Sequence, residues 1–365
     1  MKRAKVSLGK KRSYNIAIGH KITSSAKDLI RGLRLGKDAV IITNPAILSL
    51  HKNAVMRGLR RASLDISTIK IPDSEKSKSN RQVIKIIDSI VKMDKGRGIF
   101  IIALGGGVVG DVAGFAASIY KRGIPYIQIP TTVLAQVDSA IGGKVAIDLR
   151  SAKNLVGAFY QPRLVLSDTS FLRSLPMRQI RSGLGEIIKY GVIKDRRLFK
   201  FLEENIKNIL KLDKASLEYI IYRSSRIKAA IVEKDEYDKK GIRAQLNFGH
   251  TIGHALEASC GYSKLYSHGE AVGIGMVCAS EIAVKMGLLN AGSAKRIIEL
   301  IKKAGLPTKI SRKIKIEKIM KAQSYDKKII HGVNRFVLPV KIGKVKVFED
   351  IPKKLIYETI RKRYA

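Results

Sequence analysis

The first half of the chain alternates short apolar runs with stretches of helical period, and this alternation constrains the fold more than any other feature. Residues Asn80 to Met93 have their apolar side chains at helical spacing. The apolar runs have the character of mostly buried strands, and they are Ala39–Thr43, Leu64–Ile71, Ile99–Leu104, Tyr126–Ile129 and Leu164–Leu166. Strands that alternate with helices predict a mainly parallel sheet covered by helices on both faces.

The pattern changes part-way along the chain. Residues 177–304 are nearly all helical in period, and the apolar segments Phe336–Leu338 and Lys344–Val347 then predict a short strand pair. A chain of 365 residues also exceeds the size at which a single hydrophobic core stops growing. We therefore predict an α/β domain of residues 1–168 and a mainly α-helical domain of residues 169–365.

The composition is that of an ordinary globular protein, with 45% hydrophobic and 27% charged residues. Two cysteines, Cys260 and Cys278, are too few for a disulfide framework and indicate a reducing compartment. The first residues, Met1 to Lys5, do not resemble a signal peptide, and no uncharged run is long enough to span a bilayer. We expect a soluble cytoplasmic protein with no membrane partner.

The chain is strongly basic, because 70 lysine and arginine residues stand against 30 aspartate and glutamate residues, a formal net charge of +40. Such a charge attracts polyanions, so a nucleic-acid-binding protein is one alternative. The basic residues are nevertheless spread from Lys2 to Arg363 without a long basic block, and aromatic residues, which would stack on bases, make up only 6%. We expect a basic surface suited to small anionic ligands, with nucleic acid a disfavoured partner.

A glycine-rich turn, Gly105-Gly106-Gly107-Val108-Val109-Gly110-Asp111, follows the apolar run that ends at Leu104 and opens a helix. Glycines at such a place let backbone N–H groups approach a pyrophosphate at the positive end of the helix. The spacing is neither G-x-G-x-x-G nor that of a P-loop. A tight turn packed against the sheet is therefore the alternative interpretation.

Three of the six histidines lie between residues 250 and 268. His250 and His254 are four residues apart and share one face of a helix that begins near Gly249. The alternative to a functional site is that backbone groups or solvent satisfy the hydrogen bonds of these two histidines. His268, which precedes Gly269 and Glu270, favours a metal or acid–base site over that alternative.

A carboxylate and an ammonium stand among apolar neighbours at Glu186 and Lys189. A buried carboxylate needs a partner, and a metal ion shared with the histidines would provide one. The alternative is an ion pair within the helix at a spacing of three residues. A polar series also runs through the preceding region; its members are Thr131, Thr132, Asp138, Lys144, Lys153 and Asn154. Lysines beside glycines suit phosphate or carboxylate recognition, and the alternative for each lysine is an ordinary solvated side chain.

Taken together, these stretches resemble the 3-dehydroquinate synthase family, which is part of the sugar phosphate cyclase superfamily. The resemblance covers about Pro72 to Pro339 and rests on Gly105–Ala117, Gln128–Asp148, Lys153–Pro162, Ser182–Gly191, Leu246–Glu257 and His268–Gly273. It implies a dehydroquinate synthase-like fold, in which an α/β nucleotide-binding domain with a mainly parallel sheet precedes a mainly α-helical domain that binds metal and substrate.

The resemblance also implies the roles of individual residues. Glu186, His250 and His268 match the ligands of one divalent metal ion, zinc or else cobalt, whereas His254 matches a residue at the phosphate end of the substrate. The contacts of NAD match Asn44, Asp73, Glu75, Lys78, Gly107, Val108, Val109, Gly110, Asp111, Thr131, Thr132, Lys144, Lys153, Phe171 and Ser174. The contacts of the substrate match Asp138, Lys144, Asn154, Lys189, Lys228, Arg243, Asn247, His254 and Lys327.

The match departs from the family at two points. The family has threonine at position 174, where Ser174 keeps the hydroxyl, and the loop from Glu233 to Ile242 is one residue longer than in the family. Either Lys327 or Lys328 could face the substrate. Arg122 matches an arginine that the family inserts from the neighbouring subunit, which implies a homodimer.

By this resemblance the protein is expected to be a carbon–oxygen lyase of the shikimate pathway of aromatic amino acid biosynthesis. The substrate would be 3-deoxy-D-arabino-heptulosonate 7-phosphate, and the products 3-dehydroquinate and inorganic phosphate. NAD⁺ oxidises the C5 alcohol, phosphate leaves by β-elimination and NADH reduces the ketone. The ring then opens, and an intramolecular aldol step closes the carbocycle. NAD is regenerated in each turnover.

Two other enzyme classes stay open as alternatives. One is another sugar phosphate cyclase, which would form an inosose or valiolone ring. The other is a metal-dependent polyol or glycerol-phosphate dehydrogenase. The segment Lys153–Pro162 and Arg243 resemble the dehydroquinate branch, and a simple dehydrogenase would not need so dense a set of anion-binding residues.

Overall fold

The computed structural model describes residues 1–149, 153–261, 265–324 and 334–364. The chain divides into two compact units. Unit 1 comprises Met1–Leu175 and Leu217–Tyr237, and unit 2 comprises Pro176–Ser216 and Asp238–Ala365. A division by function at residue 168, into an NAD-binding and a metal-binding part, stays a prediction.

The described strands are β1 (Lys2–Val6), β2 (Tyr14–Gly19), β3 (Asp38–Thr43), β4 (Asp65–Lys70), β5 (Ile99–Gly105), β6 (Tyr126–Pro130), β7 (Lys144–Ile147), β8 (Val156–Phe159), β9 (Leu164–Asp168), β10 (Arg335–Lys341) and β11 (Lys344–Glu349). The described helices are α1 (Lys27–Arg31), α2 (Pro45–Arg60), α3 (Asn80–Met93), α4 (Gly107–Ile119), α5 (Met177–Lys194), α6 (Arg196–Leu210), α7 (Lys214–Lys234), α8 (His250–Ser259), α9 (His268–Lys285), α10 (Ala291–Lys303), α11 (Ile316–Ser324) and α12 (Lys353–Lys362).

Unit 1 contains a sheet of seven strands in the order β1-β2-β9-β6-β5-β3-β4. β1 runs antiparallel to β2, whereas the other neighbouring pairs in this sheet are parallel. The prediction of a mainly parallel sheet is therefore confirmed. Each of the five strands expected in this sheet is present, with its ends shifted by up to two residues.

Helices cover both faces of this sheet. Successive side chains of the central strands are apolar and point alternately to one face and to the other, so both faces need cover. On β3, Val40 packs in a cluster with Ile86 of α3 and Ala113 of α4. Its neighbour Ile41 packs on the opposite face with Val55 of α2. Full burial of a valine or isoleucine side chain contributes about 1.5–3 kcal/mol each. Such strands therefore need cover on both sides, as the sequence predicts.

Four strands have no counterpart in the sequence prediction. In β1, charged residues such as Lys5 alternate with buried ones such as Val6, so no apolar run marks the strand. β7 and β8 are four residues each and pair as an antiparallel hairpin. β2 pairs with β9 and continues the parallel part of the sheet toward β1. Long-range pairing, rather than a local pattern, defines these strands.

Unit 2 is built around α9, which contacts α5, α8, α10 and α12. Side chains on several sides of this helix, such as Val272, Met276 and Ile282, are fully buried. A helix that is apolar all round belongs in the interior of a domain. The strand pair expected near the C-terminus is confirmed as β10 and β11, which are antiparallel. Among the described residues, none of the helices combines the length and apolar character needed to span a bilayer.

Candidate functional site

Helices α5 and α9 approach each other at glycine residues, where their backbones are in contact. A Cβ atom on Gly269 would lie 1.9 Å from the carbonyl oxygen of Ser182, and one on Gly185 would lie 2.8 Å from the carbonyl oxygen of Gly269. The hydroxyl of Ser182 also accepts a hydrogen bond of 3.0 Å from the amide of Gly269. This close packing brings Glu186, which follows Gly185, and His268, which precedes Gly269, to 3.5 Å between Oε1 and Nε2.

Helix α8 packs against α9 in the same way. Gly249 precedes α8 with a φ of +77°, a backbone conformation that residues other than glycine rarely adopt. A Cβ atom on Gly275 would lie 1.9 Å from the carbonyl oxygen of Gly249. The close approach places His250, the first residue of α8, with its Nε2 3.6 Å from Oε1 of Glu186.

Glu186, His250 and His268 thus offer ligand atoms that all lie within 4.8 Å of one another. Tetrahedral zinc ligands at about 2.0–2.2 Å from the ion stand roughly 3.3–3.6 Å apart. The nitrogen–oxygen distances from Glu186 to His268 and His250, 3.5 and 3.6 Å, match that spacing. Two imidazoles and a carboxylate are a donor set of catalytic zinc sites, in which the fourth position stays open. These residues therefore fit a divalent metal ion.

The two oxygens of Glu186 face different partners. Oε2 contacts the ammonium of Lys189 one turn further along α5, and both side chains are almost completely buried. Oε1 faces the two imidazoles and, within the described residues, makes no hydrogen bond of normal geometry. Both interpretations drawn from the sequence therefore apply together, because the ion pair uses one oxygen and leaves the other for a metal ion.

The surrounding charges favour a cation in this position. Burial raises the pKa of Glu186, but the ammonium of Lys189 and the ring of His268 outweigh it and hold the pKa at about 2. Burial lowers the pKa of His268, yet the carboxylates of Glu186 and Glu257 raise it to about 10 in the metal-free protein. A bound metal ion would take the place of that proton.

His254 lies beside this group on the exposed side. Its ring centroid is 5.1 Å from that of His250 and 6.1 Å from that of His268. His254, Glu257 and His268 form a second set whose ligand atoms lie within 4.8 Å of one another. The assignment of His254 to the substrate rather than to the metal stays a prediction.

The sequence predicts no role for Glu257, although its Oε1 lies 3.3 Å from Nδ1 of His268. One signal could have revealed it. His250, His254 and Glu257 are spaced by four and then three residues, which puts all three on one face of α8.

In unit 1, the glycine-rich turn leads from β5 into α4 as predicted, with Gly106 at the helix N-cap. Among the described residues, no side chain caps this end of the helix. A Cβ atom on Gly110 would lie 2.7 Å from Oε1 of Gln128, so glycine is also required for packing against the sheet. The amide of Thr131 donates to the carbonyl oxygen of Gly105, and its buried hydroxyl has no partner within the described ranges. An uncapped helix end beside a buried, unpartnered hydroxyl fits a phosphate group.

Lys78 links two groups of the expected cofactor and substrate contacts. Its ammonium donates to Oδ2 of Asp111 at 2.7 Å and also contacts Oδ1 of Asn154. The amide of Asn154 donates to Asp148, whose own amide donates to the carbonyl oxygen of Lys78. Burial raises the pKa of Asp111 to about 6, although Lys78 acts in the opposite direction. Lys153 forms a separate pair with Glu75 at 3.3 Å.

Other expected cofactor contacts have structural partners in unit 1. Asn44 caps α2, because its side chain accepts from the amide of Ile47 at 2.8 Å. Phe171 is buried with its ring centroid 4.3 Å from that of His51, and the hydroxyl of Ser174 lies 3.2 Å from Nε2 of the same histidine. Further expected contacts are partly or fully exposed, namely Asp73, Glu75, Gly107, Val108, Thr132 and Lys144.

The expected substrate contacts differ in burial. Lys228 is buried and donates to both the backbone carbonyl and Oδ1 of Asp138 at 2.7 Å. Arg243 is also buried, in the 3₁₀ turn Ile242–Asn247 that ends with Asn247. Arg122 is exposed with a φ of +62°. Lys327 and Lys328 lie outside the described residues.

Comparison with known proteins identifies the family. Residues 68–182 match the 3-dehydroquinate synthase N-terminal family profile, and residues 183–329 match the C-terminal one. A 3-dehydroquinate synthase of Pelotomaculum thermopropionicum is 45% identical over 365 residues, which is 100% of this chain and 98% of the relative. Another, of Caldanaerobacter subterraneus subsp. tengcongensis, is 46% identical over 352 residues, 95% of this chain and 98% of the relative. The chain belongs to the 3-dehydroquinate synthase family.

The fold of this family member is shared with other sugar phosphate cyclases. A crystal structure of 2-deoxy-scyllo-inosose synthase, complexed with carbaglucose-6-phosphate, NAD⁺ and Co²⁺, superposes with a TM-score of 0.90 at 28% identity. The match covers 99% of this chain and 100% of that structure. The expected dehydroquinate synthase-like fold is therefore confirmed, as is membership of an enzyme family.

Proposed function

We propose that this protein is a 3-dehydroquinate synthase. It would convert 3-deoxy-D-arabino-heptulosonate 7-phosphate to 3-dehydroquinate and phosphate. The observation that carries the proposal is the group formed by Glu186, His250 and His268, because the resemblance to the family implies this set and their ligand atoms lie close together. The high identity to named 3-dehydroquinate synthases along the whole chain supports it further.

We propose that Glu186, His250 and His268 hold one divalent ion, zinc or cobalt, and that unit 1 binds NAD⁺ at the start of α4. When bound, the ion would polarise substrate oxygens and the NAD⁺ would accept and later return a hydride. The glycine-rich turn and Thr131 would hold the pyrophosphate. Lys78 contacts both Asp111, a proposed cofactor contact, and Asn154, a proposed substrate contact, and would fix the position of one relative to the other. The other residues that match the family's cofactor contacts would also contact NAD⁺.

The substrate carries a carboxylate and a phosphate, and the proposed contacts are suited to both. Arg243 offers a planar fork that matches a carboxylate with two parallel hydrogen bonds. Lys228 is held at two oxygens of Asp138, which fixes the position of its charge. His254 is partly exposed and can donate a hydrogen bond to the phosphate end. Fixed contacts of this kind keep each intermediate in one orientation, which removes much of the entropic barrier.

Four further residues complete the proposed substrate contacts, namely Lys144, Lys189, Asn247 and Lys327. The departing phosphate dianion can itself accept the C6 proton, so the chain needs no separate strong base.

We also propose a cytoplasmic homodimer in which Arg122 reaches the substrate of the partner subunit.

The direct test is to mix the purified protein with the heptulosonate phosphate, NAD⁺ and zinc. We expect one phosphate released for each 3-dehydroquinate formed, with NAD⁺ needed only in catalytic amount. NADH that builds up in proportion to the substrate consumed would instead identify a simple dehydrogenase.

A second candidate, another cyclase activity, is favoured by the likeness to 2-deoxy-scyllo-inosose synthase. Carbaglucose-6-phosphate, which that enzyme binds, carries a phosphate but no carboxylate. The same assay with a hexose 6-phosphate therefore separates the candidates. We expect no phosphate release, because Arg243 would have no carboxylate to bind.

A further inference from the structure

Both ring nitrogens of His268 face a carboxylate. Nε2 lies 3.5 Å from Oε1 of Glu186. Nδ1 lies 3.3 Å from Oε1 and 3.4 Å from Oε2 of Glu257. Glu257 is absent from the metal, cofactor and substrate contacts proposed above, yet its side chain is only 17% exposed and meets the ring almost symmetrically.

An imidazole binds a metal ion through the nitrogen that carries no proton, so the other nitrogen must carry the hydrogen. A ring that presents Nε2 to an ion is therefore stabilised by an acceptor at Nδ1, which fixes both the tautomer and the ring orientation. His250 meets this requirement with a backbone group, since its Nδ1 lies 3.1 Å from the carbonyl oxygen of Phe248. Glu257 is the corresponding acceptor for His268.

We propose that Glu257 is a positioning residue for the metal centre, which holds His268 with Nε2 directed at the ion. The inference rests on the metal site of the proposed function. Glu257 lies seven residues, about two turns, after His250 on the same face of α8. Helix α8 thus supplies one ligand, His250, directly and orients a second, His268, which belongs to α9.

A second ion held by His254, Glu257 and His268 is the competing use of the same atoms. It would take Nδ1 of His268 as a ligand, and the ring would then have to bridge two ions without any proton. A ring that donates from Nδ1 to a carboxylate keeps its proton and serves one ion only. The proposal therefore also predicts a single high-affinity ion per chain.

The test compares zinc affinities of the full chain, measured by competition with a chromophoric chelator. The variants are Glu257→Ala and Glu257→Gln. Loss of such a supporting carboxylate weakens metal binding by about 10–100-fold, so we expect that loss in the alanine variant. Glutamine keeps an acceptor oxygen without the charge, and its loss should be smaller. The control is Glu281→Gln on α9, because Glu281 is similarly buried at 14% exposure but pairs with Arg363 and Lys362. Its zinc affinity should equal that of the unmodified protein.

Thermal unfolding with and without zinc separates positioning from general stability. Zinc-free Glu257→Ala loses the contact with protonated His268, so it should unfold somewhat more easily than the unmodified zinc-free protein. The stabilisation gained on adding zinc should also be smaller in the variant. If both proteins gained the same stabilisation from zinc, Glu257 would have a structural role only, and the proposal would be overturned. Unchanged zinc affinity in both Glu257 variants would overturn it while leaving the metal site intact. Two ions per chain, reduced to one in Glu257→Ala, would favour the second ion. An unmodified protein that binds no zinc would remove the proposed metal site itself.

Discussion

Gly269 of α9 packs directly against the backbone of Ser182 of α5, whose carbonyl oxygen would lie 1.9 Å from a Cβ atom at position 269. Gly269 is not itself a ligand, but His268 immediately precedes it and faces Glu186. The distance between two ligands therefore depends on a residue that binds nothing. Any side chain at this position must push the two helices apart.

We expect Gly269→Ala to weaken zinc binding and to destabilise the metal-free protein by about 1–3 kcal/mol, the usual effect of overpacking. Gly273→Ala is the matched control on the same helix. There a Cβ atom would meet Leu306 at 3.6 Å, an ordinary contact. Zinc titration and urea unfolding of both variants provide the measurement. Equal behaviour of the two variants would mean that the helix contact does not set the ligand spacing.

A second prediction concerns the buried pair of Glu186 and Lys189. Glu186→Gln leaves a buried ammonium without its anion, so we expect the metal-free protein to lose about 3–5 kcal/mol. Glu299→Gln breaks a pair of the same spacing with Lys302, in which both side chains are about half exposed. An exposed pair contributes only about 0–1 kcal/mol, so this control should change stability little. Urea unfolding in the presence of a chelator measures both, and similar losses would contradict the prediction.

The same carboxylate should make stability depend on pH in the acid range. The pKa of Glu186 is about 2 in the folded, metal-free protein, against an ordinary value of 4.5. A pKa that is lowered by folding contributes stability above the unfolded value, and this contribution is lost as pH falls from 4.5 toward 2. Urea midpoints of Glu186→Gln should therefore fall less steeply over this range than those of the unmodified protein. Parallel curves would show that Glu186 does not titrate in this way.

The sequence predicts the strands that apolar runs mark, because strands buried on both faces lack polar residues. It does not predict β1, where polar and buried residues alternate, or the hairpin of β7 and β8. At the metal centre, helical spacing alone would pair His250 with His254. The partner seen opposite His250 is Glu186, which lies 64 residues earlier and is brought near by helix packing. Only the family resemblance names that set.

The contact of Glu257 with His268 is likewise not predictable from the sequence alone. Its position on the helix face with His250 follows from the sequence, but its contact with His268 depends on how α9 packs against α8. Contacts between helices depend on which residues allow close approach, such as Gly249 and Gly275. A single sequence shows these glycines without showing which backbone they meet.

The quaternary prediction concerns Arg122. If this arginine serves the substrate site of the partner subunit, two differently inactivated subunits can complement each other. Arg122→Ala and Glu186→Ala should each be nearly inactive alone. Refolded or co-expressed together, they should form heterodimers with one intact site and regain part of the activity. A monomer with full activity, or mixtures that regain nothing, would contradict the shared site.

The last prediction separates a built anion site from the overall charge. Arg243 is 4% exposed, so an anion bound there would be largely removed from water. Lysine keeps the charge but loses the planar fork that binds a carboxylate at two points. Loss of one such charge-assisted contact costs on the order of 2–4 kcal/mol in transition-state stabilisation.

Arg243→Lys, which leaves the net charge at +40, should therefore lower kcat/KM by roughly 30- to 1000-fold. The control replaces the exposed Lys10 and Lys11 with glutamine, which lowers the net charge by two and should leave kcat/KM within about twofold of the unmodified value. Steady-state assays of phosphate release at two salt concentrations compare the variants. If Arg243→Lys kept its activity while the lysine pair lost it, the general field of the protein would govern turnover. The assignment of Arg243 to the substrate carboxylate would then be wrong.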